Sequence, residues 1–337
     1  VVGWDVGGAH LKAACVASGR VIDVVQVPCP LWLGLDRLTS ALTEVSARLG
    51  PADRHGATMT GELADIFATR AEGVCVLADV LARHVAPAPL SLYAGRAGWL
   101  PVAAAVGHID DIASANWHAS AALAARHAPD GLFCDMGSTT TDIVPVQGGV
   151  VRAAGYTDAE RLACGELVYT GLTRSFVMAL GPRAPMAGVW TTLACEYFAN
   201  TADVYRILCE LPEHADQLPA ADHREKTVAA SITRLARMVG RDASGSDEAG
   251  WHTLAAWLAE QQIRQIVDWA FLVLSRGTIP AGAPVIGAGV GRHVIARVAE
   301  RIGRRHVDFA ELIGAGAEPG WMAACAPAVA IALLASR

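Results

Sequence analysis

Charge is scarce in this chain. Only 18% of residues are charged and the net charge is −6. No lysine-arginine run is present that would track a phosphate backbone, which argues against a nucleic-acid partner. CxxC and CxxH spacings are missing among the eight cysteines, which argues against a zinc module or a disulfide framework and for a reducing compartment. The cysteines read as small buried hydrophobes. A membrane-length apolar run is also lacking. The longest, residues 322–335, contains Pro327 and falls short of the about 20 residues a bilayer span needs, so it is expected to be a core helix. No basic leader precedes Val1. The expectation is a cytoplasmic protein with no membrane partner, self-association being left open.

What the chain has in quantity is apolar surface to bury: 53% of its 337 residues are hydrophobic. That is enough for two domains. Runs over 1–6, 11–17 and 21–27 are β-rich and separated by Gly7-Gly8 and Ser18-Gly19-Arg20, which predicts three consecutive antiparallel strands. Apolar residues at Leu35, Leu38, Leu42, Val45 and Leu49 then predict an amphipathic helix. Further strands are expected at 56–60, 74–77 and 90–94, with helices at 62–70, 78–85 and 111–127. Such alternation indicates an α/β fold with a mixed sheet.

At Gly131 the programme restarts. Strands are expected at 132–136, 142–146 and 150–154 around the turn "GSTTT". Aligning "WDVGGAH" with "CDMGSTT" makes Asp5 and Asp135 equivalent and the pattern a long-period internal duplication. Domain limits of 1–128 and 129–337 follow. Residues 158–276 read as almost wholly helical, with a helical insertion at about 158–250 and a break over 240–250. A strand at 284–287, a helix at 294–302, a strand at 306–309 and the closing helix complete the reading.

The two aspartate-glycine turns suggest a shared chemistry. Backbone N–H groups of a tight turn close on phosphate oxygens, glycine admits a ligand without a Cβ in the way, and the carboxylate can hold Mg²⁺. One such turn is equally well a plain hairpin. Two of them facing a cleft would hold a diphosphate from both sides.

"DVGGAHLK" and "DMGSTTTD" resemble the first and second phosphate loops of the actin, Hsp70 and sugar-kinase superfamily, and "PVIGAGVGRHVIARVA" its adenosine-side glycine segment. The resemblance implies two ribonuclease-H-like domains of the actin-like ATPase type, with a central cleft and a helical insertion in the second. Longer strings, "TMTGELADIFATRAEGV", "ANWHASA", "DMGSTTTDIVPV" and "TDAERLACGELVYTGLTRS", are similar to the hydantoinase/oxoprolinase branch, and within it to proteins linked to tetrahydromethanopterin-dependent one-carbon transfer. Archaeal members of that group are methanofuran-biosynthesis synthases. Membership implies a transferase that joins a furanylmethyl diphosphate to the phenol of a γ-glutamyltyramine-type acceptor and releases diphosphate.

On that implication Asp5 and Asp135 hold Mg²⁺, and Gly7, Gly8, His10, Lys12, Gly137, Ser138, Thr139, Thr140 and Thr141 contact the diphosphate. Lys12 and Asp142 are the catalytic candidates, Asp142 as acceptor of the phenolic proton or as a structural cap. Histidine at position 10 replaces the hydroxyl residue usual in the superfamily's kinases, and it can donate to an anion or satisfy a backbone carbonyl. Glu62 faces the cleft or favours a helix N-terminus. Glu166, Tyr169 and Arg174, spaced along an expected helix on which Glu166 and Tyr169 share a face, recognise a substrate amine or glutamyl group or form a surface patch. Gly287, Gly289 and Gly291 lie on the nucleotide or substrate side. The alternative is an ATP-dependent kinase or a hydantoinase-type ATPase, for which ATP would be the ligand.

Overall fold

The computed structural model describes residues 1–243, 248–314 and 318–336. Part of the expected break over 240–250, residues 244–247, lies outside the described residues. The expected meander at the start is present as β1 (Val2–Val6), β2 (His10–Ala17) and β3 (Arg20–Pro28), each antiparallel to the next. β4 (His55–Met59) and β5 (Leu90–Tyr93) join on the other side of β1 in parallel, and β6 (Trp99–Pro101) closes the edge, giving the order β3-β2-β1-β4-β5-β6.

The second sheet repeats this plan. β7 (Gly131–Met136), β8 (Thr141–Gln147) and β9 (Val150–Val151) form the meander, with β10 (Leu167–Val168) also on β8. β13 (Val285–Ala288) and β14 (His306–Asp308) extend the sheet in parallel from β7, after a separate hairpin of β11 (Arg183–Met186) and β12 (Val189–Thr192). The duplication predicted from the two aspartate-glycine motifs is therefore a duplication of sheet topology.

Two helices join the halves. Ala326–Ala335 is apolar all round and is packed between the first sheet and the helix Asn116–His127. A helix without a polar face belongs in a core. Gly3 permits the approach: a Cβ there would lie 2.3 Å from the backbone nitrogen of Ala332. The helix Asn116–His127 in turn packs on β7, β8 and β9 of the second sheet. Each half thus contributes one helix to the layer between the sheets. Helices Leu35–Leu49 and Arg70–Val85 cover the opposite face of the first sheet. Glu248–Leu274 and Arg292–Arg301 cover that of the second.

Several local expectations are corrected. Residues 74–77 are not a strand but the middle of the helix Arg70–Val85, whose Val74, Leu77, Ala78 and Leu81 are buried at helical spacing. The valines misled because β-branched residues favour strands only when packing does not decide otherwise. Residues 62–69 form turns, and the helix begins after Thr69, whose side chain caps it by accepting from the Glu72 N–H. Helix 111–127 is split at Ser114, which has φ +52°, into Ile109–Ile112 and Asn116–His127. The region 158–276 contains β10, β11 and β12. The first helix there ends at Gly165 in the left-handed conformation, so Glu166 and Tyr169 lie beyond it and share no helical face. The closing segment is two helices, with Pro327 in the first turn of the second, where proline is tolerated. All eight cysteines are free, but Cys195 and Cys209 are exposed rather than buried.

Candidate active site

A cavity of about 460 Å³ opens at the C-terminal ends of β1 and β7. Strand parity explains how both aspartates reach it. Val2, Trp4 and Val6 of β1 point into the core beneath the outer helices, so Asp5 shares the other face with Gly3, toward Ala326–Ala335. On β7, Leu132, Cys134 and Met136 point one way, while Phe133, and with it Asp135, points to the layer between the sheets. Asp5 and Asp135 consequently line one cavity.

The turns after them are built alike. The Gly7 N–H donates to the His10 carbonyl at 3.1 Å, and the Gly137 N–H to the Thr140 carbonyl at 2.9 Å. A Cβ at Gly7 would sit 2.7 Å from the His10 carbonyl oxygen. In the second turn the carbonyls of Gly137 and Ser138 are occupied from outside, by the backbone N–H groups of Leu172, Thr173 and Arg174 at 2.9–3.1 Å. Gly171 makes that contact possible, since a Cβ there would be 2.5 Å from the Thr139 nitrogen. With its carbonyls engaged from behind, the turn is free to present N–H groups to an anion. The first turns of Asn116–His127 and Ala326–Ala335 also reach the cavity through Asn116, Trp117 and Pro327. Helix N-termini carry partial positive charge and favour anions.

Electrostatics differ between the two copies. Asp5 pairs in register with Lys12, whose Nζ is 3.9 Å from its Oδ2. At the same two positions of the second copy, Asp135 faces Asp142. Burial pushes Asp135 up to about 7, and the Asp142 charge adds to the shift. Burial also raises Asp142, partly offset by Arg161, whose Nη2 lies 2.9 Å from Asp142 Oδ1. Arg161 is itself buried, donates to the Glu166 carbonyl at 2.8 Å and lies 4.0 Å over the Trp117 ring. Burial raises Asp5, with Lys12 opposing. Burial alone would lower Lys12, but the surrounding acids, Asp5 first, outweigh it and the ammonium is held. His10 is depressed to about 3 by burial and by nearby Lys12 and Arg174, so it is neutral at physiological pH.

Among the described residues, no three His, Cys, Asp or Glu side chains converge tightly enough to hold a metal between them. Mg²⁺ does not require that, because it takes one or two carboxylates and completes its shell with water and phosphate oxygens. Asp5 Oδ1 is buried and has no hydrogen-bond partner among the described residues. With Asp135 on the same cavity wall, two carboxylates stand where such an ion could be held.

The cavity brings together Asp5, Gly7, Gly8, His10, Lys12, Asp135, Gly137, Ser138, Thr139, Thr140, Asp142, Tyr169 and Arg174 from the sequence reading. It does not include the rest. Thr141 is buried, its hydroxyl donating to the Thr170 carbonyl at 2.7 Å. Glu166 is buried, accepts from the Ala154 and Gly155 N–H groups and pairs with Arg276, which leaves it no role at the cavity surface. Glu62 lies behind the wall: the Ser114 hydroxyl reaches its Oε1 at 2.8 Å and the cavity-lining Asp158 at 3.1 Å. Gly287 lies in β13 against the His306 side chain, while Gly289 and Gly291 pack on Asp135 and Met136 at the start of the second turn. A Cβ at Gly289 would lie 2.4 Å from Asp135 Oδ1, and the Gly291 N–H donates to the Met136 carbonyl. Sequence reasoning missed Arg161, Trp32, Trp117 and Asp158. The usable signal was "TDAE", a capping box that starts the helix carrying Arg161.

A hydantoinase/oxoprolinase family profile matches residues 53–332. The chain belongs to the hydantoinase/oxoprolinase family. A relative from Methanocaldococcus jannaschii, (4-{4-[2-(γ-L-glutamylamino)ethyl]phenoxymethyl}furan-2-yl)methanamine synthase, is 32% identical over 243 residues, 72% of each chain. A protein of the same name from Methanococcus vannielii is 32% identical over 111 residues, 33% of this chain and 50% of that one. Among solved structures, nucleotide-free acetone carboxylase is similar over 92% of this chain and 50% of that one, with a TM-score of 0.50 at 12% identity, a likeness of fold alone. The duplicated sheet order and the interleaved central helices are those of the two-domain actin-like fold. No described helix is long and apolar enough to cross a membrane.

Proposed function

We infer that this family member is a transferase that joins a furanylmethyl diphosphate to the phenol of a (γ-glutamyl)tyramine-type acceptor and releases diphosphate, in the biosynthesis of a methanofuran-like one-carbon carrier. The observation that carries this reading is the opening of two copies of one anion turn, each preceded by a buried aspartate, into a single cavity. The relatives named as synthases of such an aryl ether support the choice of substrates.

In the reaction the bond between the furfuryl carbon and the diphosphate oxygen breaks, and its electron pair leaves with diphosphate. The phenolic oxygen forms the new C–O bond, and the phenolic proton passes to Asp142. A phenol titrates near 10, so a carboxylate whose basicity is raised by burial suits this step. Lys12 and the N–H groups of the two turns face the departing charge, and such pre-aimed donors are the main source of rate in a charge-separating step. Mg²⁺ held by Asp5 and Asp135 would neutralise the leaving diphosphate.

The test is incubation with a furanylmethyl diphosphate, γ-glutamyltyramine and Mg²⁺ without nucleotide. The expected result is aryl ether by mass spectrometry and diphosphate in equal amount. ATP hydrolysis stimulated by a small acceptor, with no ether formed, would overturn the reading in favour of a kinase or ATPase.

A further inference from the structure

We propose that Arg174 is the side chain that grips the diphosphate from the side of the second turn, a catalytic contact for the leaving group. This deepens the reading above and rests on it. Among the described residues, three cationic side chains of lysine or arginine line the cavity, and two are already engaged: Lys12 with Asp5 and Arg161 with Asp142. Among the described residues, Arg174 forms no ion pair with any carboxylate. It is therefore the cation whose charge is left for a ligand.

Its position is set by the backbone. The Arg174 N–H donates to the Ser138 carbonyl at 2.9 Å, and its Nη1 donates to the Thr139 hydroxyl at 3.3 Å, so the guanidinium lies against the turn rather than in open solvent. From the other half of the molecule the ring of Trp32, on the segment after β3, lies under the guanidinium, its centroid 5.2 Å from the guanidinium carbon. Aromatic contact on one face and a hydroxyl at one nitrogen restrict its rotation, and the remaining N–H donors of the fork stay available. A planar fork suits two phosphate oxygens at once, which an ammonium does not match.

The experiment is calorimetric titration of inorganic pyrophosphate with Mg²⁺ into the purified protein and its variants, with folding checked by circular dichroism. Wild type is expected to bind. Arg174→Gln is expected to weaken binding at least tenfold, Arg174→Lys by an intermediate factor, and Arg183→Gln, the same charge change on the β11–β12 hairpin away from the cavity, not at all. Binding by Arg174→Gln within twofold of wild type overturns the assignment and leaves the diphosphate reading intact. An equal loss in Arg183→Gln also overturns it, by tracing the effect to net charge. Failure of wild type to bind pyrophosphate overturns the diphosphate reading and this assignment together.

Discussion

Asp135 and Asp142 stand directly opposite each other on neighbouring antiparallel strands, both buried, on the wall of the cavity. Like charges so placed destabilise a sheet. In the first copy the same register positions hold Asp5 and Lys12, a compensated pair. The second copy instead draws a cation from elsewhere, Arg161, which among the described residues pairs with Asp142 and not with Asp135.

The stability of the ligand-free protein is expected to fall as pH rises from about 4 to about 7. Asp135 in the folded state titrates near 7, above its unfolded value, so in this window the folded state holds a proton that the unfolded state has released. Asp135→Asn removes that part of the dependence and is expected to be more stable than wild type at pH 8, by about 1 kcal/mol. Urea midpoints at pH 5 and pH 8 measure it. A variant whose midpoints shift with pH as steeply as wild type contradicts the assignment.

Arg161 neutralises a buried acid, so its removal should be costly. Arg161→Met leaves Asp142 without its partner and is expected to cost about 3–5 kcal/mol. Adding Asp142→Asn to that variant should restore most of the loss, because the stranded charge is then gone. If the double variant is no more stable than the single one, the contribution of Arg161 lies in its packing on Trp117 instead.

The Ser114 hydroxyl contacts both Glu62 and Asp158, yet it has one proton to give. A protonated Glu62 resolves the conflict by donating to the serine oxygen. Burial pushes Glu62 up to about 7, despite its bond with Ser114. Glu62→Gln, which keeps a donor without the charge, should raise Tm relative to wild type at pH 8 and leave it nearly unchanged at pH 5. Thermal scans at both values decide, and a drop at pH 8 counts against the arrangement.

Gly171 is required by contact rather than by backbone angle. A methyl group there would lie 2.5 Å from the backbone of Ser138 and Thr139, neither of which can move without distorting the second turn. Gly171→Ala should cost about 1–3 kcal/mol and reduce turnover more than the stability loss explains. Activity assayed well below the variant's Tm separates the two effects.

Much of this protein was legible in its residues alone. Hydrophobic alternation and glycine punctuation marked both meanders, and the repeated aspartate-glycine signature marked the duplicated turns, because strand parity and tight turns are dictated over a few consecutive residues. Long-range contacts decided the rest. Glu166 looked like a site residue from its neighbours, but Arg276, 110 residues away in the chain, engages it. Arg161 carried no local mark of chemistry until the fold set it 2.9 Å from Asp142. The segment around Gly289 resembles a ligand loop, whereas its packing makes it a support for Asp135. Which charges are paired, which are buried and which remain open to a ligand depends on distances between remote segments, and only the tertiary structure sets those distances.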